Sequence, residues 1–120
     1  MSDSDPIVMI SSYPPRLCGI ATFSEEAREF IQKANPEREV LVISHTDGQG
    51  EVVFPIIDMS QRDWWKTVAR KVYQLRPYAV HLQHEYGLYE HYDSRGHGDG
   101  NEGFLDLLDA INEFPTIVEP

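Results

Sequence analysis

The sequence predicts an α/β fold of the Rossmann-like kind, with a mostly parallel sheet and helices on both of its faces. Two observations carry this prediction. Apolar runs without alternation, at residues 6–11 and 40–44, are typical of strands that are covered on both sides. Segments with apolar residues every three or four positions lie between the strands, as expected of helices that connect parallel strands. We expect residues 1–120 to form a single domain.

The first helix is predicted from a stripe of apolar side chains that begins just after Gly19. The helix should end before Pro36, because the residue that precedes a proline disfavours helical backbone angles. Charged residues occupy most of the other positions, so the stripe is expected to face the sheet. The members of the stripe are Ile20, Phe23, Ala27, Phe30, Ile31 and Ala34.

The remaining elements alternate in the same way. Ser60 and Asp63 resemble a capping box at the start of the second helix, and Pro77 closes that helix. The turn-forming residues 46–50 separate the second strand from the third. The full set of predicted elements after the first helix comprises strands at 40–44, 52–57, 79–83 and 115–119, helices at 64–75 and 104–112, and a long polar loop at 84–103.

Composition excludes several classes of function. The net charge of −10 leaves no basic surface for a phosphate backbone, so we expect no nucleic-acid partner. No apolar run approaches the roughly 20 residues that a transmembrane helix needs. The N-terminal residues lack the basic and apolar parts of a signal peptide, and we therefore predict a cytoplasmic protein. One cysteine cannot form an internal disulfide.

The segments that follow three of the predicted strands should carry the function. In open parallel sheets, ligands bind beyond the carboxyl ends of the strands, where the strand order reverses. The loop after strand one, the loop after strand two and the segment HEYGLY after strand four all lie at that edge. We therefore expect these three segments to lie together at the ligand-binding edge of the sheet.

The stretch SYPPRLCGIATFS, residues 12–24, is chemically rich for a turn between a strand and a helix. Gly19 would let a phosphate approach the N–H groups at the start of the helix, and Arg16 adds a cation nearby. The two prolines fix the backbone of the loop and lower the entropy lost on binding. A rigid turn that contains a glycine would explain the same residues without any ligand.

Two motifs carry a resemblance to a known family. YPPRLCGIATFS after the first strand and HLQHEYGLY around the end of the fourth together resemble the N-terminal domain of retaining nucleotide-sugar glycosyltransferases with the GT-B fold, of the glycogen-synthase and mannosyltransferase-like group. The resemblance implies a two-domain enzyme that moves a sugar, such as mannose or glucose, from a nucleotide diphosphate to an acceptor hydroxyl. The anomeric configuration would be kept.

The resemblance also implies roles for individual residues. In that family the first glycine-bearing loop touches the donor diphosphate, a role that falls here on Gly19 with Arg16 beside it. The N-terminal domain mainly shapes the acceptor side of the cleft. The residues that would face the acceptor and the transferred sugar are Tyr13, His84, Glu85 and Tyr86. We expect no cofactor and no metal, and we cannot name a catalytic base from these motifs.

The chain departs from the family pattern in two places. It ends at PTIVEP, so a histidine-bearing loop expected after strand five and the C-terminal donor domain lie outside it. By the resemblance, this chain alone would be inactive. The loop after HEYGLY is longer and richer in His and Asp than the compact loop of the family, so its acceptor contacts cannot be carried over. The alternative is a catalytically inactive Rossmann-like module that binds a sugar or a protein.

Several other patterns suggest competing chemistry. Cys18, near a helix N-terminus, could be a nucleophile with His81 or His84 as its base, although a small residue that lines the turn explains it as well. Residues 98–103 match G-x-G-x-x-G, but the long loop that precedes them argues against a dinucleotide site. Trp64 and Trp65 could stack on sugar rings or simply pack. The last strand, if it lacks a neighbour, would offer an edge for self-association.

Overall fold

The computed structural model describes residues 5–16, 18–84 and 88–119 of the chain. The element order is the one that the sequence predicts, including two consecutive strands, the second and third, with no helix between them. The elements are β1 (Ile7–Ile10), α1 (Gly19–Ala34), β2 (Val40–His45), β3 (Val53–Ile57), α2 (Trp64–Leu75), β4 (Ala79–Gln83), α3 (Glu102–Ala110) and β5 (Thr116–Glu119).

The five strands form one sheet in the order β3-β2-β1-β4-β5, and every pair of neighbours is parallel. The strand order reverses at β1, which lies between β2 and β4. The link between β2 and β3 is short because β3 begins pairing beside Val42, in the middle of β2. The predicted α/β, Rossmann-like fold with a parallel sheet is confirmed.

The sheet has a helical layer on each face. On one face α2 and α3 cover the larger core, in which Trp64, Tyr89 and Leu107 are almost completely buried. On the other face α1 packs over a smaller core built on β1 and β2, with Met9 and Val42 at its centre. Alternate residues of β1 therefore belong to different cores, as the pleat of a strand requires.

The first helix contacts the sheet less than its apolar stripe predicts. Only Ala21 and Ser24 of α1 are buried, whereas Phe23 and Phe30 are exposed. Ala27 and Ile31 are partly buried against the smaller core. The apolar stripe exists in the sequence, but α1 lies over β1 and β2. The side of α1 that carries Phe23 and Phe30 borders the uncovered part of the sheet at β4 and β5.

One predicted helix cap and two predicted boundaries are corrected. Ser60 does not cap α2, because its hydroxyl donates to the Asp58 carboxylate at 2.6 Å and the helix begins after Asp63 without a side-chain cap. Helix α3 starts two residues earlier than predicted, at Glu102. Strand β2 extends to His45, which brings that ring to the edge of the sheet. Among the described residues, no helix is both long enough and apolar enough to cross a bilayer.

Candidate functional site

The loops that follow β1 and β2 are joined at the carboxyl edge of the sheet. The Gln49 N–H donates to the Pro14 carbonyl at 3.0 Å. The Arg16 guanidinium forms an ion pair with Asp47, with Nε 3.6 Å from Oδ2. These contacts hold the proline-containing loop against the loop that follows β2, so the two loops form one continuous surface.

The segment after β4 joins the same edge through buried polar contacts. His45 Nε2 lies 2.9 Å from the Leu88 carbonyl. The Tyr89 hydroxyl lies 2.8 Å from the Gln83 carbonyl and 3.2 Å from the Ile10 carbonyl, so it bridges the ends of β4 and β1. The expectation that three segments meet at one edge therefore agrees with the geometry of the described residues.

Cys18 caps the N-terminus of α1. Its backbone is extended, and its Sγ accepts a hydrogen bond from the Ala21 N–H at 3.3 Å. Its Sγ also lies 3.6 Å from the Ser12 hydroxyl. The first N–H groups of a helix have no partner inside that helix, and the Cys18 cap satisfies only one of them. The thiol therefore has a structural role at the turn.

Gly19 is the first residue of α1, and it is exposed. Apart from its chain neighbours and the backbone of its own helix, no described atom lies within 4 Å of the position that a Cβ would occupy, and Gly19 is part of the helix. The turn itself therefore does not require a glycine here, contrary to the tight turn that the sequence suggested. What the glycine provides is open access to the N–H groups at the helix terminus.

Arg16 lines a cleft of about 210 Å³ on the β2 side of the loop. Its charge is already paired with Asp47, and its side chain is about one-third exposed. A phosphate that bound here would compete with a surface carboxylate for the guanidinium. The residues that line this cleft are Arg16, His45, Thr46, Asp47, Ile57 and Met59.

The predicted acceptor-side residues have different surroundings. Tyr13 is only 6% exposed and packs in the smaller core, where burial raises its pKa, so most of its ring supports the loop. The His84 ring packs on Phe104 with a centroid distance of 4.3 Å, and its backbone N–H donates to the Glu119 carbonyl. Glu85 and Tyr86 lie outside the described residues.

Tyr89 and His45 join the strand ends at this edge through hydrogen bonds, and neither residue was predicted from the sequence. The Tyr89 ring stacks on Trp64 and Phe104, and complete burial raises the pKa of its hydroxyl far above the ordinary value. Burial lowers the pKa of His45, and Nδ1 of that ring has no hydrogen-bond partner. The position of Tyr89 in HEYGLY, five residues beyond His84, was the available signal for it.

The groups that the competing motifs would use for catalysis or binding are engaged in contacts within the chain. Nε2 of His81 lies 2.6 Å from the Glu119 carboxylate, so this ring is engaged away from Cys18. In the G-x-G-x-x-G segment, the Glu90 carboxylate accepts from the N–H groups of Gly100 and Asn101 at 2.7 and 2.8 Å. Those N–H groups cannot also hold a pyrophosphate. In the described parts of the chain, no three metal-ligating side chains lie close enough to share an ion.

A second cleft, of about 350 Å³, lies between the first turns of α2 and α3. Trp65 lines it, so one of the two tryptophans considered for stacking borders a cavity, whereas Trp64 is buried in the larger core. Carboxylates outnumber the cations around this cleft, which disfavours a diphosphate. Its charged residues are Arg62, Asp63, Lys66, Asp99, Glu102 and Asp106.

Comparison of the chain with protein-family models found no match, and comparisons with curated proteins and with solved structures also gave no significant match. The carboxyl edge of the sheet and the two motifs that lie there are therefore the features that indicate a function.

Proposed function

We propose that this chain is the acceptor-side domain of a retaining glycosyltransferase that uses a nucleotide diphosphate sugar. The observation that carries the proposal is the open N-terminus of α1 at Gly19, in the loop that links the ends of β1 and β2. The parallel sheet supports it, because ligands of such sheets bind at this edge. Donor recognition and catalysis would require a second domain.

The proposed chemistry uses the helix terminus and Arg16. Negative charge develops on the diphosphate as it leaves the sugar, and donors already aimed at that position lower the barrier. The N–H groups of Gly19 and Ile20 have no partner inside α1 and would donate hydrogen bonds to a phosphate oxygen. Arg16 would exchange the Asp47 carboxylate for the phosphate, which adds a charge-assisted hydrogen bond. No residue is assigned as a general base.

Substitutions of the Arg16 and Asp47 pair test this assignment. Arg16→Gln should weaken the binding of uridine or guanosine diphosphate by about tenfold, because a charge-assisted contact is lost. Asp47→Asn should strengthen binding a few-fold, since the guanidinium no longer has a competing carboxylate. Isothermal titration calorimetry at low salt measures both effects, with weak binding expected for the unmodified chain.

Arg62→Gln is the matched control, because Arg62 is also in a surface ion pair, with Glu102 at 2.9 Å. This variant should bind the diphosphates like the unmodified chain. An equal loss of diphosphate affinity in both arginine variants would show that any surface cation attracts the ligand. That result would contradict the proposed role of Arg16. Tight binding of the complete nucleotide sugar, in the micromolar range or below, would contradict the division of labour between two domains.

A further inference from the structure

One side of the sheet is open beside α1. Phe23 is 43% exposed and Phe30 is 75% exposed, although both belong to the apolar stripe of the helix. Ile117 of β5 is 66% exposed and pairs with His81, so its side chain is on the same face of the sheet. Large apolar side chains grouped on one face of a folded domain usually mark a binding surface.

Phe23 and Phe30 border a groove of about 430 Å³ between α1 and the sheet. Its wall on the helix side includes Phe23, Ala27 and Phe30, and its wall on the sheet side includes His81 and Glu119. On the opposite face of the sheet, α2 and α3 cover the larger core. Parallel sheets are normally covered by helices on both faces, so the open half of this face has the shape that receives a helix.

The ionisable side chains that line the groove are Glu26, Glu119 and His81, and Nε2 of His81 lies 2.6 Å from the Glu119 carboxylate. No lysine or arginine lines the groove among the described residues. Further along the same face of β4, the Gln83 side chain is 3% exposed and its Oε1 has no hydrogen-bond partner. With two carboxylates and no lysine or arginine at the groove, a complementary partner would supply positive charge.

The negative charge at the groove also favours a basic partner protein over a second copy of this chain. A second copy of this chain would bring another Glu26 and Glu119 towards the same apolar groove, and each copy carries a net charge of −10. Like charges that approach across an interface oppose association. A basic partner would instead gain electrostatic attraction at the same surface.

We propose that this groove binds a basic amphipathic helix of a partner protein. The apolar side of that helix packs on Phe23 and Phe30, and its lysine or arginine side chains reach Glu26 and Glu119. The proposal rests on the groove alone and is independent of the glycosyltransferase assignment.

A pair of synthetic peptides provides the test. The basic peptide has about 18 residues, with leucines at helical spacing and lysines beside them, and the acidic peptide has glutamate in place of each lysine. Fluorescence anisotropy should show that the chain binds the basic peptide and not the acidic one. Binding should weaken about tenfold at about 0.5 M salt, because exposed charges are screened.

Two variants locate the binding surface. Phe30→Ser should weaken binding about tenfold, whereas Leu105→Ser, which changes another exposed apolar residue, on α3, should leave it unchanged. Glu26→Lys should also weaken binding, and Glu37→Lys, which changes an exposed carboxylate beyond the end of α1, should not. Circular dichroism of each variant checks that the fold is intact.

Several results would overturn the proposal. One is the absence of binding of the basic peptide up to about 1 mM, and another is equal binding of the acidic peptide. Equal losses of peptide affinity in the Phe30→Ser and Leu105→Ser variants would show that the peptide does not bind at this groove. Light scattering that shows a dimer, abolished by Phe30→Ser, would make a second copy the occupant.

Discussion

At the scale of single residues, buried polar side chains join the ends of β1, β2 and β4 at the carboxyl edge of the sheet. The Tyr89 hydroxyl is bonded to the carbonyls at the ends of β1 and β4, and His45 contacts Leu88 across the edge. Burying such groups is costly unless they are hydrogen-bonded. The geometry of the loops therefore depends on the protonation of His45 as well as on packing.

The stability of the fold should depend on pH through His45. Burial lowers its pKa in the folded chain below the ordinary value of about 6.5, so the unfolded chain takes up the proton first. As the pH falls below about 6.5, the free energy of unfolding should decrease by up to about 1.4 kcal/mol per pH unit, until the folded pKa is reached. Urea unfolding between about pH 7.5 and 5.5 measures this slope.

Two substitutions test whether His45 causes the pH dependence of the free energy of unfolding. His45→Gln should flatten the dependence on pH, whereas His97→Gln should not, because the His97 side chain is 73% exposed. An unchanged slope in the His45→Gln variant would mean that another group carries the effect.

At the scale of elements, two glycines in the first turns of helices have opposite surroundings. Gly19 has open space around its Cβ position, whereas a Cβ at Gly103 would lie 2.5 Å from Nε1 and 3.0 Å from Cε2 of the buried Trp64. Gly103 therefore allows α3 to approach α2 closely, while Gly19 serves access to a helix terminus.

Alanine substitutions separate these two roles. Gly103→Ala should destabilise the fold by roughly 1–3 kcal/mol, because Trp64 is packed in the larger core and cannot move freely. Gly19→Ala should be neutral or stabilising by up to about 1 kcal/mol, since alanine favours the helix. Chemical denaturation of both variants measures the difference, and equal effects would contradict the packing described for α3.

The sequence predicted most elements correctly because their apolar periods are clear, but it could not predict what covers each face. Phe23 and Phe30 have the period of a buried stripe, and their exposure depends on where α1 lies over the sheet. Topology alone brought Gly19 and His84 to one edge. The pairing of Arg16 with Asp47 and the cap of α1 by Cys18 depend on loop conformation, which residue patterns do not specify.

At the scale of the whole molecule, the chain presents two distinct surfaces. The carboxyl edge contains an open helix N-terminus, and the face beside α1 contains an apolar groove flanked by carboxylates. The net charge of −10 disfavours a general anion-binding surface, so the proposed diphosphate site would depend on local contacts at the helix N-terminus. A ligand that carries a diphosphate should therefore select this edge.

The most direct measurement of that claim is a residue-resolved map of ¹H–¹⁵N chemical shifts as uridine or guanosine diphosphate is added to the chain. We expect the largest changes at the amides of Gly19 and Ile20, with smaller ones at Thr46 and Asp47. Changes centred on the cleft between α2 and α3, or no changes at millimolar nucleotide, would contradict the proposed diphosphate site.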